Sequence, residues 1–157
     1  MANEELISVD QMVDAYWEHY SAAHAPNSDR ADRVRAEALF WAGEMVDSII
    51  NAVQWTDRKA YGTEPVRRIA PVVGRLELIE KLAQAAPDEQ ALAYLGAGPL
   101  EEYLGAGPDL DLVDQAARRD SRFRTALKCA WYEDRLSPED AGRLRRFAED
   151  GHAGDLP

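Results

Sequence analysis

Two pairs of carboxylates are the residues of this sequence that come closest to a catalytic pattern. Glu44 and Asp47 are three positions apart, as are Glu77 and Glu80, so each pair lies on one face if its segment is helical. Two such helices side by side could hold Mg²⁺ against the phosphates of a nucleotide, because Mg²⁺ prefers oxygen ligands. Pairs with this spacing also occur on any solvated acidic helix.

The histidines and the cysteine give no second catalytic pattern. His19 and His24 are five positions apart, so they share a helical face poorly, and a His-Glu-x-x-His sequence is absent. A Gly-x-Ser-x-Gly sequence is absent too, and the single Cys129 excludes an intrachain disulfide and a thiolate zinc site. We therefore expect no cofactor.

The sequence Leu-Gly-Ala-Gly-Pro occurs twice, at 95–99 and 104–108. A phosphate-binding loop would need Gly-Lys-Ser/Thr or a third glycine after a strand, and neither is present. Glycine commonly ends a helix and proline commonly begins one. Each copy is therefore interpreted as a corner: one helix ends at Gly96, a short helix spans 99–104, and Gly105 ends it.

Helical spacing of apolar residues runs through most of the chain, and no segment alternates like a strand. Ser8 with Gln11 forms a capping-box sequence, and Ser137 before Pro138 signals another helix start. Pro71 predicts a kink or break in a helix over 64–86. The longer predicted helices cover 8–23, 31–55, 64–86, 89–95, 110–119, 123–131 and 138–147. The fold class is therefore all-α, with about seven helices.

A family resemblance covers residues 76–147. It rests on Ala86-Pro-Asp-Glu, on Leu95-Gly-Ala-Gly-Pro-Leu-Glu-Glu, and on Ala117-Arg-Arg-Asp-Ser-Arg-Phe-Arg followed by Ala-Leu and Trp. These motifs resemble DUF6869, a bacterial family of unknown function, whose usual pattern has Pro in place of Ser121 and lacks the second Gly-Ala-Gly-Pro. The resemblance implies a helical domain with antiparallel pairs in a HEAT-like stack or an irregular bundle, a bacterial source, and no known activity.

The predicted organisation is a single domain over 1–150. An N-terminal helical pair covers 8–56, a C-terminal helical stack covers 64–150, and 151–157 form a flexible tail. The chain has 18 basic and 29 acidic residues, and its net charge of -11 disfavours binding to nucleic acid. No apolar run is long enough to span a membrane, and a cytoplasmic location is expected.

Aromatic residues supply the candidate binding positions, because Trp and Tyr are frequent in protein interfaces. Trp17, Trp41 and Trp131 fall on apolar stripes and are expected in the core. Phe40 falls among polar residues, so either another element covers it or it is an exposed anchor. The interface candidates are Phe40, Trp55, Tyr61, Tyr103 and Tyr132.

Three functions follow from these patterns. The favoured one is a non-catalytic protein-binding module, immunity-like or inhibitor-like, whose partner is another protein, basic in character. The second is a magnesium-dependent hydrolase similar to the all-α nucleotide pyrophosphatases, although the order of the two acid pairs is reversed relative to those enzymes. The third is a structural subunit that forms homo-oligomers such as a homodimer.

Overall fold

The computed structural model describes residues 4–51, 66–70 and 72–149 of the chain. The chain divides into two compact units, residues 1–81 and residues 82–157, and each is described by itself. The described elements are β1 Glu4–Ile7, α1 Val9–Ala23, α2 Arg30–Ile50, β2 Val66–Ile69, α3 Arg75–Ala85, α4 Glu89–Leu95, a π-helical segment Gly96–Leu100, α5 Glu101–Gly105, α6 Leu110–Arg119, α7 Ser121–Leu127 and α8 Pro138–Glu149. With the continuous run 89–105 taken as one, these are seven helices. The all-α class is confirmed, and the single domain over 1–150 stays a prediction.

A helical hairpin of α1 and α2 makes up most of the first unit. The predicted capping box at the start of α1 is confirmed, since the Ser8 hydroxyl accepts from the Gln11 amide and the Gln11 side chain accepts from the Ser8 amide. Contacts between the helices join Arg35 to Glu18, with 2.6 Å between Nε and Oε1, and His19 to the Ala36 carbonyl at 2.8 Å. These pairings across a six-residue connection show that the helices run antiparallel.

Burial along the hairpin is uneven. The apolar face of α1 is buried as its spacing predicts, and so is the C-terminal half of α2. The N-terminal half of α2 is largely exposed, and Val34 is 57% exposed. The apolar residues of this helix are therefore closely covered only over its second half. Buried residues of the two helices are Val9, Met12, Val13, Ala15, Tyr16, Trp17, Tyr20, Ala22, Ala42, Met45, Val46, Ser48 and Ile50.

Two short strands correct the expectation that the chain has none. β1 and β2 pair in parallel, with Glu4 opposite Val66 and Ile7 opposite Ile69. Residues 66–69 are therefore a strand, and the helix predicted over 64–86 begins at Arg75. The two segments, EELI and VRRI, do not alternate apolar and polar residues, which is why the sequence did not reveal them. Pro71, where a kink was predicted, lies outside the described residues.

The first Gly-Ala-Gly-Pro of the second unit does not make a corner. Gly96 has φ -62° and ψ -49°, and the chain stays helical from α4 through the π-helical segment into α5. A π-helical turn places Pro99 inside the helix, where an α-helical turn would lose a hydrogen bond and clash with the ring. The prediction that a helix ends at Gly96 is therefore wrong.

The physical reason for Gly96 is the close approach of α7. A Cβ atom built on this residue would lie 2.1 Å from the carbonyl oxygen of Ala126, a distance that no real contact allows. Its amide donates to the carbonyls of Leu92 and Ala93, so it is used within the helix. Gly96 is thus a packing position between two helices.

The second Gly-Ala-Gly-Pro does make the predicted corner. Helix α5 ends at Gly105, and Gly107 has φ +80°, in the left-handed region that glycine adopts without strain. Asp109 then caps α6 by accepting from the amides of Asp111 and Leu112. The Tyr103 hydroxyl accepts from the Asp109 amide at 3.3 Å and closes the turn.

The remaining helix starts follow their sequence signals. Asp88 caps α4 by accepting from the Ala91 amide at 2.8 Å, as predicted. Ser137 caps α8, since its hydroxyl accepts from the Asp140 amide at 3.1 Å. Within the described ranges, no helix combines the length and hydropathy that a membrane span needs.

Candidate protein interface

The loop between α7 and α8 carries the most exposed aromatic side chain of the described residues. Helix α7 ends at Leu127, and the amides of Cys129 and Ala130 close the last turn on the carbonyls of Ala126 and Leu127. Trp131 follows with 63% of its surface exposed. The prediction that Trp131 belongs to the core is wrong, because the helix ends four residues before it.

Trp131 is exposed but fixed. Its backbone amide donates to Glu101 Oε2 at 3.1 Å, and its indole Nε1 donates to Asp134 Oδ2 at 3.2 Å. Glu101 is itself paired with Arg135 at 3.1 Å, which ties the loop to α5 at a second point. Backbone and ring are therefore both oriented by hydrogen bonds within the second unit.

The neighbouring Tyr132 is the buried residue of this loop. It is 6% exposed, and its carbonyl accepts from the amides of Arg135 and Leu136, each at 3.0 Å. Burial raises the pKa of the Tyr132 phenol, and the nearby carboxylates of Glu133 and Glu149 act in the same direction against the opposing charge of Arg145. Tyr132 therefore anchors the loop from inside.

Among the described residues, the interface candidates named from the sequence differ from Trp131 in their exposure. Tyr103 is 4% exposed, so neither it nor Tyr132 is available as the exposed anchor that the sequence suggested. Both are large amphipathic side chains whose rings pack in the core, and the Tyr103 hydroxyl bonds to the backbone. Phe40 is 55% exposed, and its ring centroid lies 5.9 Å from that of His19 in an edge-to-face arrangement. Trp55 and Tyr61 lie outside the described residues.

The two acid pairs do not come together. Glu44 and Asp47 lie on α2, and Glu77 and Glu80 lie on α3. Among the residues that the structure describes, no group of three or more His, Cys, Asp or Glu side chains could hold a metal ion. Asp47 Oδ1 instead accepts from the Asn51 side chain at 2.9 Å. Within the described residues, the two pairs therefore do not form a metal-binding group.

A charged cluster joins α6 and α8. Asp114 is 8% exposed, and it accepts hydrogen bonds from Arg118 on its own helix and from Arg146 on α8. Arg143 Nε lies 3.7 Å from the same carboxylate. Burial alone would raise the pKa of Asp114, but the hydrogen bonds and charges of Arg118 and Arg146 together hold it below its usual value. These ion pairs join α6 to α8, and the cluster of Asp114, Arg118, Arg143 and Arg146 is called the clasp below.

The motif Arg-Arg-Asp-Ser-Arg-Phe-Arg that supported the family resemblance is a set of helix caps. Asp120 caps α7 by accepting from the amides of Arg122 and Phe123. Arg122 donates to the carbonyls of Ala83 and Ala86 at the end of α3. In the same way, Arg124 donates to the Ala117 and Arg118 carbonyls at the end of α6. Asp120, Arg122 and Arg124 therefore satisfy backbone groups at helix ends.

Sequence reasoning missed Trp131 because the end of α7 carries no glycine or proline. The apolar residues Ala130 and Trp131 continue the spacing of Phe123, Ala126 and Leu127, and this extended the predicted helix by a full turn. The only available signal was the charged run Glu133 to Arg135, shortly before Pro138. It marks a loop without showing where the loop begins.

The fold and the site together define a helical protein with one fixed, exposed tryptophan in its second unit. The chain belongs to DUF6869, a family of unknown function, whose model matches residues 54–150. This confirms the resemblance and extends it toward the N-terminus. No curated protein and no solved structure matches the chain.

Proposed function

We propose that this protein is a protein-binding module whose contact surface is centred on Trp131. One observation carries the proposal: the ring is 63% exposed although two carboxylates hold its backbone and its indole in place. Tryptophan is among the most frequent binding hot spots, and a side chain that is already oriented loses less entropy when a partner covers it.

The charge of the chain indicates the character of the partner. A net charge of -11 attracts a basic protein at long range and speeds its association. The proposal therefore extends to an immunity-like or inhibitor-like role in a bacterial cytoplasm, where this protein neutralises a basic target. A single cysteine suits that reducing compartment.

Binding to a purified partner tests the proposal. The full chain is used as bait at low salt in a lysate of its source organism, and the retained protein is then purified and titrated by calorimetry. We expect a one-to-one complex that W131A weakens by about 30-fold or more, the loss typical of a hot-spot residue. Tyr94→Ala is the matched control, since Tyr94 is an aromatic residue of the same unit with 45% exposure.

Two results would contradict this function. One is recovery of only free protein at low salt. The other is a partner that binds W131A as tightly as the wild type. Light scattering adds a third readout: a stable homodimer that W131A disrupts would support the homo-oligomer interpretation instead.

A further inference from the structure

The surroundings of Trp131 are acidic. Asp134 Oδ2 lies 3.2 Å from the indole nitrogen, and Glu101 Oε2 lies 3.1 Å from the backbone nitrogen. Glu101 is neutralised by Arg135, and the nearby Glu133 is neutralised by Arg145 at 2.8 Å. Among the described residues, the ion pairs near the ring involve Glu101 and Glu133 but not Asp134, so this carboxylate has no cationic side chain paired with it.

The first unit shows what completes such an arrangement. The Arg67 guanidinium lies 4.6 Å from the centre of the Trp41 ring, and its Nε lies 3.3 Å from Glu5 Oε2. A ring, a carboxylate and a guanidinium therefore meet in one place. At the protein surface, Trp131 supplies a ring and Asp134 supplies a carboxylate, and a guanidinium would complete the set.

We propose that Trp131 and Asp134 form a binding site for an arginine side chain of the partner protein. The inference rests on the proposed function and names the group that the surface recognises. A guanidinium stacks on an indole face through cation–π attraction, and its N–H groups donate to a carboxylate. Lysine offers the charge without the planar stack, so arginine is the better fit.

Indole N–H signals in NMR test this site without knowledge of the partner. The chain has four tryptophans, and the signal that W131F removes is that of Trp131. The probe is an acetylated, amidated peptide of alternating glycine and arginine, and its control is the same peptide with neutral citrulline. We expect the arginine peptide to shift the Trp131 signal in a saturable way, while the other three indole signals move little.

The variant D134N separates charge from structure, because an asparagine oxygen can still accept from the indole. This substitution should weaken binding of the arginine peptide by about fivefold and leave the spectrum of the free protein otherwise unchanged. Equal shifts at all four indoles, or equal shifts with the citrulline peptide, would overturn the inference. A partner that needs Trp131 while the arginine peptide leaves its signal unmoved would sink this inference and leave the proposed function standing.

Discussion

Gly96 shows how a residue can be recognised as structural while its role is misread. Its type and its place before proline predicted a helix end. The structure instead uses the missing side chain, because α7 approaches so closely that a Cβ would overlap the Ala126 carbonyl. A close approach between segments thirty residues apart leaves no trace in local spacing, so the sequence could not distinguish the two roles.

Substituting Gly96 and a second helical glycine, Gly142, separates packing from helix propensity. Gly96→Ala should destabilise the protein by about 1–3 kcal/mol, because the new methyl group forces α7 away. Gly142→Ala, on α8, should be neutral or stabilising by up to about 1 kcal/mol, since no neighbouring element lies within 4 Å of its Cβ position and alanine favours a helix. Urea unfolding measures both, and equal effects would contradict the packing role.

Two tyrosines and Trp131 show that the burial of a single side chain is also hard to predict from sequence. Sequence position placed Tyr103 and Tyr132 at helix ends and Trp131 on a helix, and burial is the reverse of what these positions suggested. The outcome depends on which neighbour covers each ring, and that is set by tertiary packing. The proposed surface therefore belongs to the predicted class, an exposed aromatic side chain, but Trp131 was not among the residues predicted for it.

Helix starts were the most predictable elements. Ser8, Asp88 and Ser137 each accept a hydrogen bond from a backbone amide where the sequence placed a cap. The strands and the end of α7 were missed, because four-residue strands and a stop without glycine or proline carry weak local signals. Elements whose ends are set by long-range pairing cannot be located from local chemistry.

The clasp between α6 and α8 predicts a pH dependence of stability. The pKa of Asp114 is lower in the folded protein than its ordinary value of 3.8, so its pairing stabilises the fold above that pH. The stabilisation is lost as the pH falls through the folded pKa. Asp114→Asn should therefore be less stable than wild type near neutrality, and the two should converge in acid.

Urea unfolding of both proteins across this pH range checks the prediction. Glu37→Gln, an exposed substitution on α2, is the control and should track the wild type throughout. A constant difference between wild type and Asp114→Asn, maintained into acid, would show that the charge of Asp114 does not stabilise the clasp.

At the scale of the whole molecule, charge was predicted directly, because it follows from composition alone. The excess of acids over bases is shared between the two units, with 14 acids against 9 bases in residues 1–81 and 15 against 9 in residues 82–157. Each unit therefore carries a net negative charge. The all-α class also followed from sequence, since apolar spacing reports helices over long segments.

Added salt should weaken binding of the partner, because it screens the attraction exerted by the net negative charge. Raising the ionic strength well above about 0.15 M shortens the Debye length below about 8 Å and screens long-range attraction. We expect the association rate to fall several-fold while the dissociation rate changes less, as measured by surface plasmon resonance. A salt-independent association rate would show that net charge does not steer the partner.

Hydroxyl-radical footprinting of the free protein and of its complex tests the central claim most directly. Trp131 should be oxidised readily in the free protein, and its oxidation should drop several-fold in the complex. The buried Trp17 and the exposed Tyr94 serve as internal references that the partner leaves unchanged. If Trp131 is oxidised equally fast in both states, its ring is not the contact, and the account given for this surface is wrong.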